Sequence, residues 1–503
     1  MLFPLQRRVS VLWQWWNIEM KSISFLICYS IFVIAVLTVI PGCMVGPDYD
    51  RPKTAAETSS GYYQAGRNVQ DVNMLSRNNT WWLRFGDRLT AELVRKALEN
   101  NYDLKAAAAR VLQSQAILEQ ERGKLLPDIS YNFNRDRSKF SFDFGTGRSS
   151  ALTTTYGQNI SISYVLDLFG KLRHAEQAAW RDLLATKANE IALTNSIMAS
   201  VIQSRVNIAT LQKQLSIAKA NTASRQQTLE IVERRYRKGL VSPVDVRLAR
   251  ENLAASRSSE PALELSIVQA QYSLDILLGQ RPGQTDELPK TLPDLPDLEP
   301  VPVGLPASLL DRRPDLISAE QALKAANQRI GVSIAQLFPD LTLTGTYGFS
   351  ANEWRNIWID ETEIYSALFR VTQPLFKGGQ LRAQVDISKA VYQELASNYA
   401  NAVLSALREV EDALISEQKL QQQLEEVQFR FEEAKAAEDL SRDRYQQGVS
   451  NLLLVLESER RRRLAETELA IIKGRLWTNR VNLFLALGGD WQTETLLADN
   501  QGK

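Results

Sequence analysis

From Lys171 to Lys238 no proline interrupts a run in which Leu211, Leu215, Ala218, Thr222, Arg225, Leu229, Val232 and Tyr236 are spaced alternately by four and three. That spacing is a coiled-coil seam. As straight helix the run spans roughly 100 Å, at about 1.5 Å per residue. Polar Thr222 and Arg225 within the seam speak against a simple dimer and predict a curved wall with one wet face. The run closes at Arg235-Tyr236-Arg237-Lys238-Gly239 and recurs 209 positions later, from Gln380 to Arg444-Tyr445-Gln446-Gln447-Gly448. The same shift lays Leu211 on Leu420, Leu215 on Leu424, Tyr236 on Tyr445 and Gly279 on Gly488. A helix this long, made twice, is a spacer or the wall of a tube.

The stretch before each long run changes period. A helical pattern from Leu89 to Leu126 ends at Leu126-Pro127-Asp128, and one from Asp315 to Phe338 ends at Phe338-Pro339-Asp340. Beyond Pro127 the period is two. Ile129, Tyr131 and Phe133 alternate with Ser130, Asn132 and Asn134, and after a loop at Gly145-Thr146-Gly147, Ile160, Ile162 and Tyr164 return. Beyond Pro339, Leu341, Leu343, Tyr347 and Phe349 alternate with Thr342, Thr344, Thr346 and Gly348, and the strand Ile364 to Gln373 follows a loop holding Trp354 and Trp358. Each is a hairpin with one apolar and one polar face. After the Gly239 and Gly448 turns, helices return from Val244 to Leu278 and from Leu452 to Leu487. Pro261 predicts a kink or break in the first of them.

These elements divide the chain. Residues 43–88 read as a lipid-anchored tether and equatorial segment, extended from Val45 to Gly66, 89–279 as a first repeat, 280–307 as a Pro-rich linker, 308–489 as a second repeat and 490–503 as a tail. The linker holds prolines at 282, 289, 293, 296, 300, 302 and 306. Residues 1–42 read as a signal peptide. Lys21 precedes an apolar run from Ile23 to Ile40, and Pro41-Gly42-Cys43 follows. Met20 is a plausible true start, and an uncleaved span is the rival. Ile40-Pro41-Gly42-Cys43 resembles a bacterial lipobox, which makes Cys43 the expected lipidated residue. Met44 follows it, so the Asp that commonly retains lipoproteins at the inner membrane is absent.

Composition narrows the chemistry. The formal charge of the full chain is +1, which gives no electrostatic case for nucleic acid. Two cysteines and one histidine, His174, leave no disulfide framework and almost no His-based metal site. No phosphate loop or nucleophile motif stands out, so no enzyme and no cofactor are expected. Four strands with one apolar face cannot sit alone in lipid, because an open sheet leaves unpaired edges. Closure by oligomerisation removes them.

In order, Gly42-Cys43-Met44-Val45-Gly46-Pro47-Asp48-Tyr49, Leu310-Asp311-Arg312-Arg313-Pro314-Asp315-Leu316, Phe338-Pro339-Asp340, Gln373-Pro374-Leu375-Phe376-Lys377-Gly378-Gly379 and Arg444-Tyr445-Gln446-Gln447-Gly448-Val449 resemble outer-membrane efflux channels of the TolC/OprM type. The likeness covers residues 43–490 and points to the lipoprotein subgroup serving resistance–nodulation–division pumps. It implies a mainly α fold with membrane β, a homotrimer whose helices form a periplasmic α-barrel joined to a 12-stranded β-barrel, and an equatorial region between. It implies a passive outer-membrane duct for drugs or other small molecules, with a periplasmic adaptor and an inner-membrane pump as partners. A type I protein-secretion channel is the alternative within transport, and a periplasmic coiled-coil adaptor or scaffold the alternative outside it.

The resemblance also places sites. The Gly239 and Gly448 turns become the periplasmic tips. Acids that line the entrance of such channels correspond to Leu454 and Glu457, so an apolar ring would gate by packing and dewetting, with Glu457 attracting cations or standing as an ordinary exposed glutamate. Asp245 matches an acid that ties neighbouring coils shut, with Tyr445 as partner; its other reading is an acid at a helix N-terminus. The Arg460–Arg463 run reads as ordinary pairing with acids or as adaptor docking. His174 and Trp81-Trp82 read as packing residues.

Overall fold

The computed structural model describes residues 44–58, 87–143, 148–284, 288 and 306–489. Cys43, Trp81-Trp82, the leader, the tail and most of the Pro-rich linker lie outside them. The long helices among the described residues are α1 (Arg88–Asn100), α2 (Tyr102–Gly123), α3 (Lys171–Arg237), α4 (Pro243–Leu277), α5 (Pro314–Ala335), α6 (Gln380–Gln446) and α7 (Leu452–Ala486). The strands are β1 (Asp128–Asp143), β2 (Arg148–Leu166), β3 (Asp340–Ala351) and β4 (Glu363–Thr372). Helix, hairpin, long helix, turn, helix is the order in both halves, as the periodicity predicts. Both α3 and α6 hold 67 residues and both α4 and α7 hold 35. Every boundary of these four shifts by the same 209 positions. No helix among the described residues is long and apolar enough to cross a membrane.

The chain forms two compact units. The first comprises Met1–Asp48, Glu121–Gln177 and Gln328–Ser388. It holds one antiparallel sheet in the order β1-β2-β3-β4. The register aligns Tyr131, Ile160, Tyr347 and Tyr365 in one row, and Ser130, Ser161, Thr346 and Ser366 in the next. Because alternate side chains take opposite faces, the apolar rows make one continuous face and the hydroxyl rows the other. The apolar face is open: Ile129, Tyr131, Ile160, Tyr347, Tyr365 and Phe369 are all exposed. Trp354 lies edge-on to Phe133 and Tyr156, and Trp358 packs beside Phe349. At the base, Phe169 stacks on Phe338 and Lys171 pairs with Asp340 at 3.0 Å. His174 is a packing residue here. Its Nδ1 lies 2.6 Å from Gln328 Oε1 and its Nε2 3.2 Å from the Val45 carbonyl oxygen. A Cβ on Gly331 would come within 2.6 Å of the ring, so only glycine fits there.

The second unit comprises Tyr49–Gln120, Ala178–Asn327 and Lys389–Lys503. Contacts run α4 to α3, α3 to α7 and α7 to α6. Leu229 and Val232 meet Val246, Ala249 and Leu253 between α3 and α4. A Cβ on Gly474 would collide with the Thr210 hydroxyl, so the α7 backbone lies directly against the Thr210 side chain of α3. Ile202 and Val206 of α3 share a core with Trp477 and Val481 of α7, and Val427 of α6 packs on Ile472 and Leu476 of α7. The N-terminal segment is fastened to this unit by Arg51, whose guanidinium donates to both oxygens of buried Glu320 and to Asp311.

Three expectations are corrected. Of the kink or break expected at Pro261, the break does not occur, since α4 runs unbroken from Pro243 to Leu277. Packing of the long hairpin outweighs the one backbone donor that proline removes. The predicted helix from Leu89 to Leu126 is two helices, because the Asn101 side chain caps α2 by accepting from the Asp103 and Leu104 amides while donating to the Leu277 carbonyl. Finally, Thr222 and Arg225 do not line a wet face. Thr222 hydrogen-bonds Ser256, and Arg225, 5% exposed, donates to the Asn252 carbonyl, both within the α3–α4 layer.

Candidate functional site at the helix tips

Both tips are built alike. At Gly239 the Leu240 amide donates to the Arg235 carbonyl and the Gly239 amide to Tyr236. At Gly448 the Val449 amide donates to Arg444 and the Gly448 amide to Tyr445. This six-to-one, five-to-two pattern is a Schellman end. It needs φ near +70° to +80° (70° at Gly239, 81° at Gly448), which glycine adopts without penalty.

The return helices then differ. Ser242 caps α4 and Asp245 completes a capping box, its carboxylate accepting from the Ser242 amide at 2.9 Å. Asn451 caps α7 by accepting from the Leu454 amide at 3.0 Å, but Leu454 offers nothing in return. Leu454 is half exposed, and Leu453 and Val449 are more exposed still. Both tips expose apolar residues, Leu240 and Val244 at the first and Val449 and Leu453 at the second, and they differ at the third helical residue, where Asp245 closes a polar cap and Leu454 extends the apolar surface. Asp245 makes no hydrogen bond to Tyr445, whose buried hydroxyl has no partner. The expected tie is absent within the protomer because the capping box engages the carboxylate. Instead Arg235 lies 4.7 Å over the Tyr445 ring and donates to its carbonyl oxygen at 2.6 Å. Burial pushes the Tyr445 phenol up, against the pull of Arg235.

Glu457 lies one turn beyond Leu454 and pairs with Arg460 and Arg461 at 2.8 and 2.7 Å. Their hydrogen bonds hold its carboxyl down to about 2. It is a charged group already answered by two arginines. Three arginines of the run thus pair with acids, as its ordinary reading expects: Arg460 and Arg461 meet Glu457, and Arg462 meets Glu438 and Glu466.

Sequence reasoning missed a cluster above the tip. Arg442 donates to Glu438, Glu459 and the Ser224 hydroxyl, and Thr228 donates to Glu459 at 3.0 Å. Glu459 is 2% exposed. This ionic knot joins α3, α6 and α7. The signal was present in the duplication, since the 209 shift lays Arg442 on Glu233 and Glu459 on Arg250. Glu233 and Arg250 pair at 2.8 Å in the first repeat, so the second repeat carries the same pair with its polarity reversed. No cluster able to hold a metal occurs among the described residues.

Comparison with known proteins agrees with this architecture. Residues 93–280 and 305–489 match the family described as outer membrane efflux protein. The chain is 30% identical over 482 residues to the toluene efflux pump outer membrane protein TtgF of Pseudomonas putida, covering 93% of this chain and 98% of that one. It is 31% identical over 446 residues to the pyoverdine export outer membrane protein OpmQ of Pseudomonas aeruginosa, covering 88% and 92%. The solved outer-membrane channel OprN superposes with a TM-score of 0.80 at 28% identity, over 89% of this chain and 99% of that one. With matched residues spanning both repeats, the chain belongs to the outer membrane efflux protein family and is an outer-membrane component of an efflux system.

Proposed function

We propose that the chain works as a homotrimeric exit duct for small organic molecules, anchored by a lipid on Cys43 and fed by an inner-membrane pump through a periplasmic adaptor. The four-stranded sheet carries this reading. It has one apolar and one polar face, and its outer strands β1 and β4 each pair on one side only. Three copies supply twelve strands, enough to close a barrel with hydroxyls inside and aromatics toward lipid. The shortest strand, β4, has 10 residues, and about 9–11 tilted residues cross a bilayer. Relatives named for toluene efflux and pyoverdine export favour a small organic cargo over a secreted protein. Open apolar residues at the turns, Leu240 and Val449 among them, suit contact with an adaptor.

In this reading the entrance closes by apolar packing of Leu454, with Glu457 a weak cation attractor because two arginines already answer it. Conductance of the reconstituted protein in planar bilayers tests the duct. The wild type should conduct poorly and Leu454→Gly should raise single-channel conductance several-fold. A trimer that never conducts, even with Leu454→Gly and Glu457→Gly combined, would sink the duct. Mass spectrometry of the mature N-terminus tests the anchor, and retention of residues 21–42 would refute it.

A further inference from the structure

The duplication makes each contact between the two repeats inside one chain a template for a contact between chains. Within the protomer, α3 of the first repeat packs on α7 of the second, and Arg235 covers Tyr445. Shifting these by 209 turns Arg235 into Arg444 and Tyr445 into Tyr236. Both residue types are kept, yet the two residues make no such contact in the protomer. Tyr236 is 45% exposed where Tyr445 is 4% exposed. Beside Tyr236 lies an open cavity of about 320 Å³, lined by Glu233, Tyr236, Pro243, Val246 and Arg250 among others. Its counterparts around Tyr445 are Arg442, Leu452, Val455 and Glu459, which belong to the packed core and knot of the second tip.

Other residues of the unpaired face repeat the pattern. Leu440 is 61% exposed, while its counterpart Ile231 packs into the tip core. The α6 face around Arg444 carries exposed Glu433 and Asp443, while Arg237 of α3 and Arg247 of α4 line the cavity, whose Arg250 is paired with Glu233. Glu433 and Asp443 on one face and Arg237 and Arg247 on the other make the two faces partly complementary in charge, which favours α6 of one copy against the cavity of another.

We propose that Arg444 of one copy stacks on Tyr236 of the next, so that α6 and the next copy's α4 close the ring by the geometry that joins α3 to α7 within a chain. The proposal rests on the trimeric reading and names its seam. The same shift carries the 2.8 Å contact of Gln203 with Asn482 to Asp412 and Ser273 of the next copy, both exposed. That gives a second, distant point on the seam.

The test uses full-length protein in membranes with Tyr236→Cys and Arg444→Cys together, treated with a short bismaleimide. Dimers and trimers should appear on a denaturing gel, and each single variant should stay monomeric. Chains with Tyr236→Cys co-expressed with chains carrying Arg444→Cys should give dimers only. Ser273→Cys with Asp412→Cys should reproduce the ladder. Native mass spectrometry of the parent separates the two layers of the claim. A trimer in which the first pair does not cross-link overturns the Arg444–Tyr236 contact, whether or not the second pair does. A monomer overturns the trimeric reading as well.

Discussion

The two helix tips share a backbone and differ in what they put on it. Gly239 and Gly448 end their helices by the same hydrogen bonds, and the next helices begin at the same offset. At the third residue of those helices the first tip has Asp245 and the second Leu454. The first tip returns a hydrogen bond to its cap, and the second leaves an apolar side chain half exposed. One turn higher, the ion pair between long and return helix is exposed in the first repeat and buried, with reversed polarity, in the second. Local stability is thus distributed differently. The second tip gives up its capping box and is secured by the knot above it. In the proposed duct, an entrance tip that opens would need a firm joint behind it and an apolar end that can part from its neighbours.

The knot should therefore carry the largest effect. Arg442→Ala leaves Glu438 and Glu459, each under 5% exposed, without their shared guanidinium. Removing one partner of such a pair costs about 3–5 kcal/mol. Arg462 and Thr228 still reach these carboxylates, which places the loss toward the lower end. Glu233→Ala, which opens the exposed pair with Arg250, should cost about 0–1 kcal/mol. Thermal melting of the detergent-solubilised protein compares the two. Equal losses would mean that the repeats do not differ in the way their burial indicates. The double exchange R442E with E459R should fail to rescue, because it sets a new acid against Glu438.

Much of this contrast is legible in the sequence, and the limits are physical. The long helices, the hairpins and both glycine turns follow from periodicity and from residues with one conformational use. The two-residue period even separates the apolar rows of the sheet from the hydroxyl rows before any strand is paired. Pro261 misleads because a 35-residue helix packed along its length tolerates one lost hydrogen bond. Arg225 misleads because a charged residue in a seam looks solvated until a carbonyl across the layer, that of Asn252, is found to receive it. Asp245 reads equally as an acid at a helix start and as a tie to Tyr445, and only the folded turn shows that Ser242 claims it. The knot draws its five residues from three helices and becomes visible only when charge is followed through the 209 shift.

Exchanging the third residues should have a middle-sized effect. Asp245→Leu removes the capping box of α4 and should cost about 1 kcal/mol. Leu454→Asp should return about as much to α7, with Asn451 as cap. The melting midpoint should move down for the first variant and up for the second. Conductance separates stability from gating: Leu454→Asp should raise both conductance and cation preference although the tip is more stable. A more stable tip that conducts no better would mean that Leu454 does not hold the entrance closed.

The smallest effect concerns Glu457, and its sign follows from its partners. Arg460 and Arg461 depress its carboxyl to about 2, below the usual value of about 4.3. A depressed carboxyl keeps its charge, and the contribution of its ion pairs, above the ordinary range and loses them only as pH falls through about 2. The carboxylate sits at the surface, so what is read is charge at the entrance and not fold stability. Cation preference of the Leu454→Gly channel should stay flat from pH 7 to about 3, since no proton reaches Glu457 in that window. Replacing both arginines, Arg460→Ala with Arg461→Ala, should do two things. It should increase cation preference at pH 7 by unmasking the carboxylate, and it should bring in a step near pH 4, the ordinary glutamate range of about 4.3. A step near pH 4 already present with both arginines in place would show that they do not hold the carboxylate, and the second tip would then carry a free acid beside its apolar collar.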